Sequence, residues 1–182
     1  MAVTSWVKKL VGASLTLDTL ETLLLEQIKD LYSAENQLIE ALPKMAAGAS
    51  TADLKKAFQS HLNETKTHKT RLEKAFRELG HEPEDHTCEA MKGLITEGDS
   101  VLSADGDPKV KDAAIIAAAQ RVEHYEMAGY GCARTFANQL GHESVADLLQ
   151  ETLDEEAAAD EKLTKIAETL VNPKAAKVKA KV

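Results

Sequence analysis

The sequence predicts an all-α fold, a bundle of four long helices arranged as two hairpins joined by a long crossover. Three observations carry this expectation. Ala, Leu, Glu and Lys are abundant, and all four favour helix. No run shows the β-branched, alternating pattern of a strand. Apolar residues instead recur at steps of three and four along four long segments, each followed by a glycine or a proline. A chain of 182 residues is long enough to close one such domain around a substantial core.

The first helix is expected over residues 17–45, with Asp18 or Thr16 as its cap and Gly48 and Ser50 beyond its end. Its stripe is Leu20, Leu24, Ile28, Leu31, Glu35, Leu38 and Leu42, one helical face with a single acidic member. The second is expected over 51–79, ahead of Gly80. Its stripe, Leu54, Phe58, His61, Thr65, His68, Leu72, Phe76 and Leu79, is apolar at both ends and polar in the middle. The connection from His81 to Asp107 is too long for a tight hairpin and holds a short helix over 88–102, with Met91, Ile95 and Leu102 on one side. Asp105-Gly106-Asp107-Pro108 reads as a turn that opens the third long helix, over 108–140. Its stripe is Ile115, Ala119, Val122, Glu126, Tyr130, Ala133, Ala137 and Leu140. The fourth, over 143–170, ends near Asn172-Pro173 and carries Val145, Leu149, Thr152, Glu156, Ala159, Leu163, Ile166 and Leu170. Residues 1–16 are then an N-terminal extension, 17–171 the bundle, and 172–182 a flexible tail rich in Lys and Ala.

The two hairpins look like copies. Glu35 and Glu126 are 91 residues apart, and so are Leu54 and Val145, Phe58 and Leu149, and Leu72 and Leu163. A duplicated hairpin makes a bundle with approximate two-fold symmetry, which gathers equivalent side chains around one central point.

The formal net charge is −8 at pH 7, from 22 basic and 30 acidic side chains. Such a surface repels phosphate backbones, which argues against nucleic acid as a partner of the folded body. No stretch reaches the roughly 20 apolar residues that span a bilayer. The first residues, with Trp6, Val7, Lys8 and Lys9, lack the long apolar centre of a secretory signal. Cys88 and Cys132 are far apart and read as reduced thiols. The expectation is a cytoplasmic protein with no membrane association. Trp6, Val7 and Val11 offer a small apolar patch outside the four helices, the basis for expecting a homodimer.

Each long helix breaks its apolar stripe near its own midpoint. The first offers Glu35. The second offers Glu64 and His68, with His61 a turn earlier. The third offers Glu123 and Glu126, and the fourth Glu155, Glu156 and Asp160. Spacings of three and four stack such groups on one face. Taken alone, Glu155 reads as a surface residue and His124 as outward-facing. Carboxylates pointed into an apolar bundle do not stay charged without partners. Two divalent cations would neutralise four of them, and hard oxygen donors with one or two imidazoles suit iron or manganese.

The chain carries Asp30-Leu31-Tyr32-Ser33-Ala34-Glu35, His61-Leu62-Asn63-Glu64-Thr65-Lys66-Thr67-His68 and Val122-Glu123-His124-Tyr125-Glu126. It adds Glu89-Ala90-Met91-Lys92-Gly93-Leu94 and Asp154-Glu155-Glu156 with Asp160. In these residues, over about 17–170, it resembles the ferritin-like superfamily and, within it, the small bacterial YciF-like and YciE-like stress proteins. The resemblance implies a ferritin-like four-helix bundle around a dimetal-carboxylate centre. The superfamily pattern has Glu on the first helix, Glu-x-x-His on the second, one or two Glu on the third and Glu-x-x-His on the fourth. Glu35 matches the first position, and Glu123 with Glu126 the two-glutamate form of rubrerythrin-like proteins. The second helix departs, with Thr65 where the Glu belongs and Glu64 beside it. The fourth departs further, with Ala159 where the His belongs and Asp160 next to it.

Two function classes follow. One is an iron-handling or di-iron oxidoreductase role, ferroxidase- or peroxidase-like, with two metal ions, iron ahead of manganese. Glu35, Glu64, His68, Glu123, Glu126, Glu156 and Asp160 are its candidate ligands. Behind them, Tyr32 is a hydrogen-bond or electron donor, or else a core residue with a satisfied hydroxyl. His61 is a supporting donor, or else a structural histidine. The other class is a non-redox helical stress protein whose polar belt is a structural network or holds a static metal.

Overall fold

The computed structural model describes residues 17–179. The Trp6, Val7 and Val11 patch therefore lies outside the described residues. The elements are α1 (Leu20–Gly48), α2 (Ala52–Glu78), α3 (Glu89–Ser103), α4 (Pro108–Gln139) and α5 (Glu143–Ile166). A single π turn (Ala167–Val171) and a last short turn, α6 (Asn172–Ala175), complete the order. Among the described residues there is no strand.

The helix ends follow from local chemistry. The cap of α1 is Thr19, one residue after Asp18; its hydroxyl accepts the amide of Thr22 at 3.0 Å. α4 starts on Pro108, whose missing amide hydrogen costs nothing in a first turn, and the Asp107 side chain accepts from the Lys109 amide at 2.9 Å. α2 and α4 both stop at a glycine with positive φ, Gly80 at 80° and Gly141 at 78°. There the amide of the next residue reaches back five positions, His81 to Phe76 at 2.9 Å and His142 to Ala137 at 3.0 Å. The fourth long helix does not end at Asn172-Pro173. Pro173 cannot donate the bond that would continue the α ladder; the chain widens into the π turn ahead of it and then resumes as α6.

α1 packs on α2 and α4 on α5, as two hairpins; α1 also packs on α4, and α2 on α5. The crossover helix α3 lies across α1 and α4. The apolar core is divided in two. One half holds Leu38, Leu42, Phe58, Ile115 and Leu163, and the other Leu24, Ile28, Phe76, Tyr130 and Leu149. α1 and α5 run from the second half into the first, and α2 and α4 run the opposite way, so neighbouring helices are antiparallel throughout. Gly129 lets α4 approach α1 closely, since a Cβ there would come within 2.8 Å of the buried Leu31 side chain. The interval between the two apolar halves is filled by buried polar residues from all four long helices.

Candidate metal centre

The polar belt contains Glu35 from α1, His61, Thr65 and His68 from α2, Glu123 and Glu126 from α4, and Thr152 and Glu156 from α5, all buried. Most of them continue a face that is apolar toward both ends of its helix, so helical phase aims them at the axis. Ligand atoms of His61, Glu123, Glu126 and Glu156 lie within 4.8 Å of one another, and those of Glu35, His68 and Glu156 do the same. The two groups share Glu156.

Both imidazoles of the belt come from α2 and are held alike. His68 presents Nδ1 inward, 2.8 Å from Glu156 and 3.5 Å from Glu35, while its Nε2 is hydrogen-bonded to Glu155 at 2.8 Å. Arg71 grips Glu155 with two nitrogens, at 2.5 and 3.0 Å. His61 presents Nε2 inward, 3.5 Å from Glu123 and 3.6 Å from Glu156, while its Nδ1 meets Glu64 at 3.3 Å. Glu64 and Glu155 are themselves 91 residues apart and do the same work on opposite sides. Tyr130 donates its hydroxyl to Glu35 at 2.5 Å, deep in the core.

The imidazoles and carboxylates of the belt shift one another's acidity. Burial alone would lower both imidazoles, yet the facing carboxylates outweigh it. Glu123, Glu64 and Glu156 raise His61 to about 9, and Glu156 and Glu35 raise His68 to about 10. Burial pushes Glu35 up, and pushes Glu123 and Glu126 well above the carboxylate range. Glu156 feels the same burial, but the two imidazoles beside it hold it below its ordinary value.

Hydrogen bonding is nevertheless incomplete. Both oxygens of Glu126, Oε2 of Glu35 and of Glu123 and Nε2 of His61 are buried without a hydrogen-bond partner, and Glu156 meets His68 Nδ1 as an ion pair at 2.8 Å without a well-aligned hydrogen bond. Buried polar atoms are seldom left so, and a cluster of them sharing one point is what a cation set would satisfy. Four carboxylates and two imidazoles are hard and borderline donors, a set that fits iron or manganese.

The sequence-derived candidates divide accordingly. Glu35, His68, Glu123, Glu126 and Glu156 converge in the core, and His61 stands among them with an inward nitrogen. Glu64 lies beside the group: its side chain is 39% exposed and bonds His61, which together with Ser60 keeps its acid low, at about 2. Asp160 lies outside it, accepting from Gln120 at 3.0 Å and 3.5 Å from His124. Tyr32 packs edge-on against Phe76 and donates to Glu73 at 3.3 Å, away from the belt. Glu155, expected as a surface residue, is partly exposed but bonds His68 and Arg71; the sequence assigns no role to Arg71 and places Tyr130 only on the apolar stripe. Their roles rest on contacts across helices; the one available signal was Tyr130, a hydroxyl one turn after Glu126 on an otherwise apolar stripe.

Comparison with known proteins places the chain in a family. A family model described as a domain of unknown function, DUF892, matches residues 19–176. The chain is 44% identical over 162 residues to the protein YciF of Escherichia coli (strain K12), covering 88% of this chain and 98% of that protein. It superposes on the crystal structure of the E. coli stress protein YciF with a TM-score of 0.82, covering 85% of this chain and 98% of that one. It superposes on YcfI from Rhodopseudomonas palustris with a TM-score of 0.81 at 42% identity, covering 86% and 98%. A protein from Xanthomonas campestris, at 19% identity and a TM-score of 0.69 over 87% and 98%, shares the fold. The chain belongs to the DUF892 family and is a YciF-like protein.

Proposed function

We propose that this protein binds two divalent cations, iron ahead of manganese, between the four long helices, and that it does so in a stress response. The observation that carries the reading is the convergence of four buried carboxylates, Glu35, Glu123, Glu126 and Glu156, on the inward nitrogens of His61 and His68, with neither oxygen of Glu126 hydrogen-bonded. The stress context comes from the E. coli relative, which is described as a stress protein. Glu35, His68 and Glu156 would hold one ion, and His61, Glu123, Glu126 and Glu156 the other, with Glu156 common to both. Bound iron would supply one-electron chemistry toward oxygen or peroxide.

The chain's own groups prepare this place. Tyr130 fixes one oxygen of Glu35 and leaves the other free. Glu155, clamped by Arg71, fixes the orientation of His68, and Glu64 does so for His61. The two apolar halves of the core exclude water from above and below. Burial raises the acids of Glu35, Glu123 and Glu126, so cations bound there would compete with protons for the same oxygens.

The test is titration of metal-free protein with Fe(II) under nitrogen and with Mn(II), for the wild type, Glu35→Ala and Glu126→Ala. The expected result is stoichiometric binding by the wild type and its loss in both variants. Each variant should still melt cooperatively, because removing a buried acid also removes its desolvation cost. A wild type that binds no more metal than Glu126→Ala sinks the dimetal reading and leaves a purely structural polar network.

A further inference from the structure

The two sides of the belt are not equally closed. On the His68 side the imidazole is fully buried, and Glu155 and Arg71 cover its outer nitrogen. On the His61 side the imidazole is itself 6% exposed and its outer nitrogen meets Glu64. Glu64 is bonded by Ser60 where Glu155 is clamped by Arg71, although the two outer carboxylates are alike in exposure at 39% and 38%. Beside His61, between α2 and α5, lies a cavity of about 10 Å³ lined by His61, Glu64, Glu123, Ala159 and Lys162, among others. That is about the space one water requires. Glu64, Ala159 and Lys162, with Ala158 and Glu155, also line a wider hollow of about 180 Å³. The small cavity touches one core acid, Glu123, and the wide one opens on solvent.

This gap has a cause in the sequence. Ala159 occupies the position that the internal repeat pairs with His68, 91 residues earlier. Where α2 sends an imidazole toward the belt, α5 carries a methyl group, which lines both hollows. From mouth to core the hollow offers a sequence of donor atoms. Glu64 stands at the rim. His61 comes next, its Nδ1 3.3 Å from Glu64. Glu123 and Glu156 follow, 3.5 and 3.6 Å from His61 Nε2.

We propose that the hollow over Ala159 is the route by which divalent cations reach the core, with Glu64 capturing them at the mouth and His61 passing them inward. This rests on the dimetal reading above. Glu64 is then a residue of delivery, and its place outside the core group follows from that role. A partly exposed carboxylate exchanges ions with solvent readily, whereas a fully buried one cannot meet a hydrated ion.

The experiment is stopped-flow uptake of Co(II) by the metal-free full chain, followed by its visible absorption and by the final stoichiometry. Ala159→Leu fills the hollow without altering any candidate ligand or charge. It should slow uptake by about tenfold or more and leave the final stoichiometry unchanged. Glu64→Gln should slow uptake by about threefold or more by removing the charge at the mouth. Because Glu64 also touches His61, the leucine variant decides. If Ala159→Leu fills at the wild-type rate, or loses sites in place of slower filling, the route is wrong. A wild type that takes up no Co(II) overturns the dimetal reading and the route with it.

Discussion

Glu155 sits next in sequence to Glu156, yet the two carboxylates have different tasks. Glu156 is fully buried between both imidazoles, while Glu155 lies at the edge, held between Arg71 and the outer nitrogen of His68. The Arg71 guanidinium keeps the Glu155 acid below its usual range, so it stays a charged acceptor for the imidazole. Outer carboxylates of this kind set the tautomer and the basicity of a ligating histidine. Glu155→Ala should therefore weaken metal affinity by about 10–100-fold without reducing stoichiometry, read by competition with a chromophoric chelator. Glu151→Ala is the control. Glu151 also touches Arg71, at 2.9 Å, but its side chain is exposed and does not reach His68, so affinity should stay near the wild-type value.

At the scale of the element, α2 carries both imidazoles and depends on a cap from another helix. Thr51 precedes α2 and its side chain caps nothing. Instead, the buried Asp112 of α4 accepts from the amide and hydroxyl of Ser50 at 2.7 and 2.8 Å and from those of Thr51 at 2.8 and 2.5 Å. A carboxylate at a helix start satisfies orphan amides and complements the dipole. Asp112→Ala should cost about 1–2 kcal/mol in urea unfolding at neutral pH, since it removes the charged acceptor of four hydrogen bonds at the start of α2. The pH dependence has a definite sign. Burial would raise the Asp112 acid, but the four hydrogen bonds outweigh it and hold the acid below its ordinary value of 3.8. Its contribution is present in full above the unfolded value of about 4 and is lost as pH falls through the lower folded value. The gap in stability between wild type and Asp112→Ala should thus be widest near neutrality and should shrink in acid.

At the scale of the whole molecule, the belt divides the core, and four helices must dock for its acids to meet. Cations that bind only this docked state stabilise it by mass action. A free metal concentration a hundredfold above Kd corresponds to about 2.7 kcal/mol, or about 5–10 °C in Tm for a domain of this size. Thermal melts in Mn(II) should show that rise, chelator should reverse it, and Glu126→Ala should lack it. Among the described residues no helix is long and apolar enough to cross a membrane.

Much of this organisation is local and so is legible in the chain. A helix repeats every 3.6 residues, so the stripes of leucines, the midpoint acids, Gly80 and Gly141 as stops and the 91-residue repeat are visible without any neighbour. The limits of that reading are also physical. Glu155 and Glu156 differ by about 100° of rotation, and only the position of α2 decides which one enters the core. Tyr130 reaches Glu35 across a separation of 95 residues, and no local pattern announces that bond. Asp112 does its capping 61 and 62 residues away from its partners. Glu64 and Asp160 carry suitable chemistry at a suitable depth, but side chains on the flank of a helix turn to whatever lies nearest, here His61 and Gln120. The sequence by itself determined the helices, their order and the depth of the polar belt. Only the packing of one helix on another decided which of its acids and imidazoles share a point, because that depends on distances between segments that the chain does not encode locally.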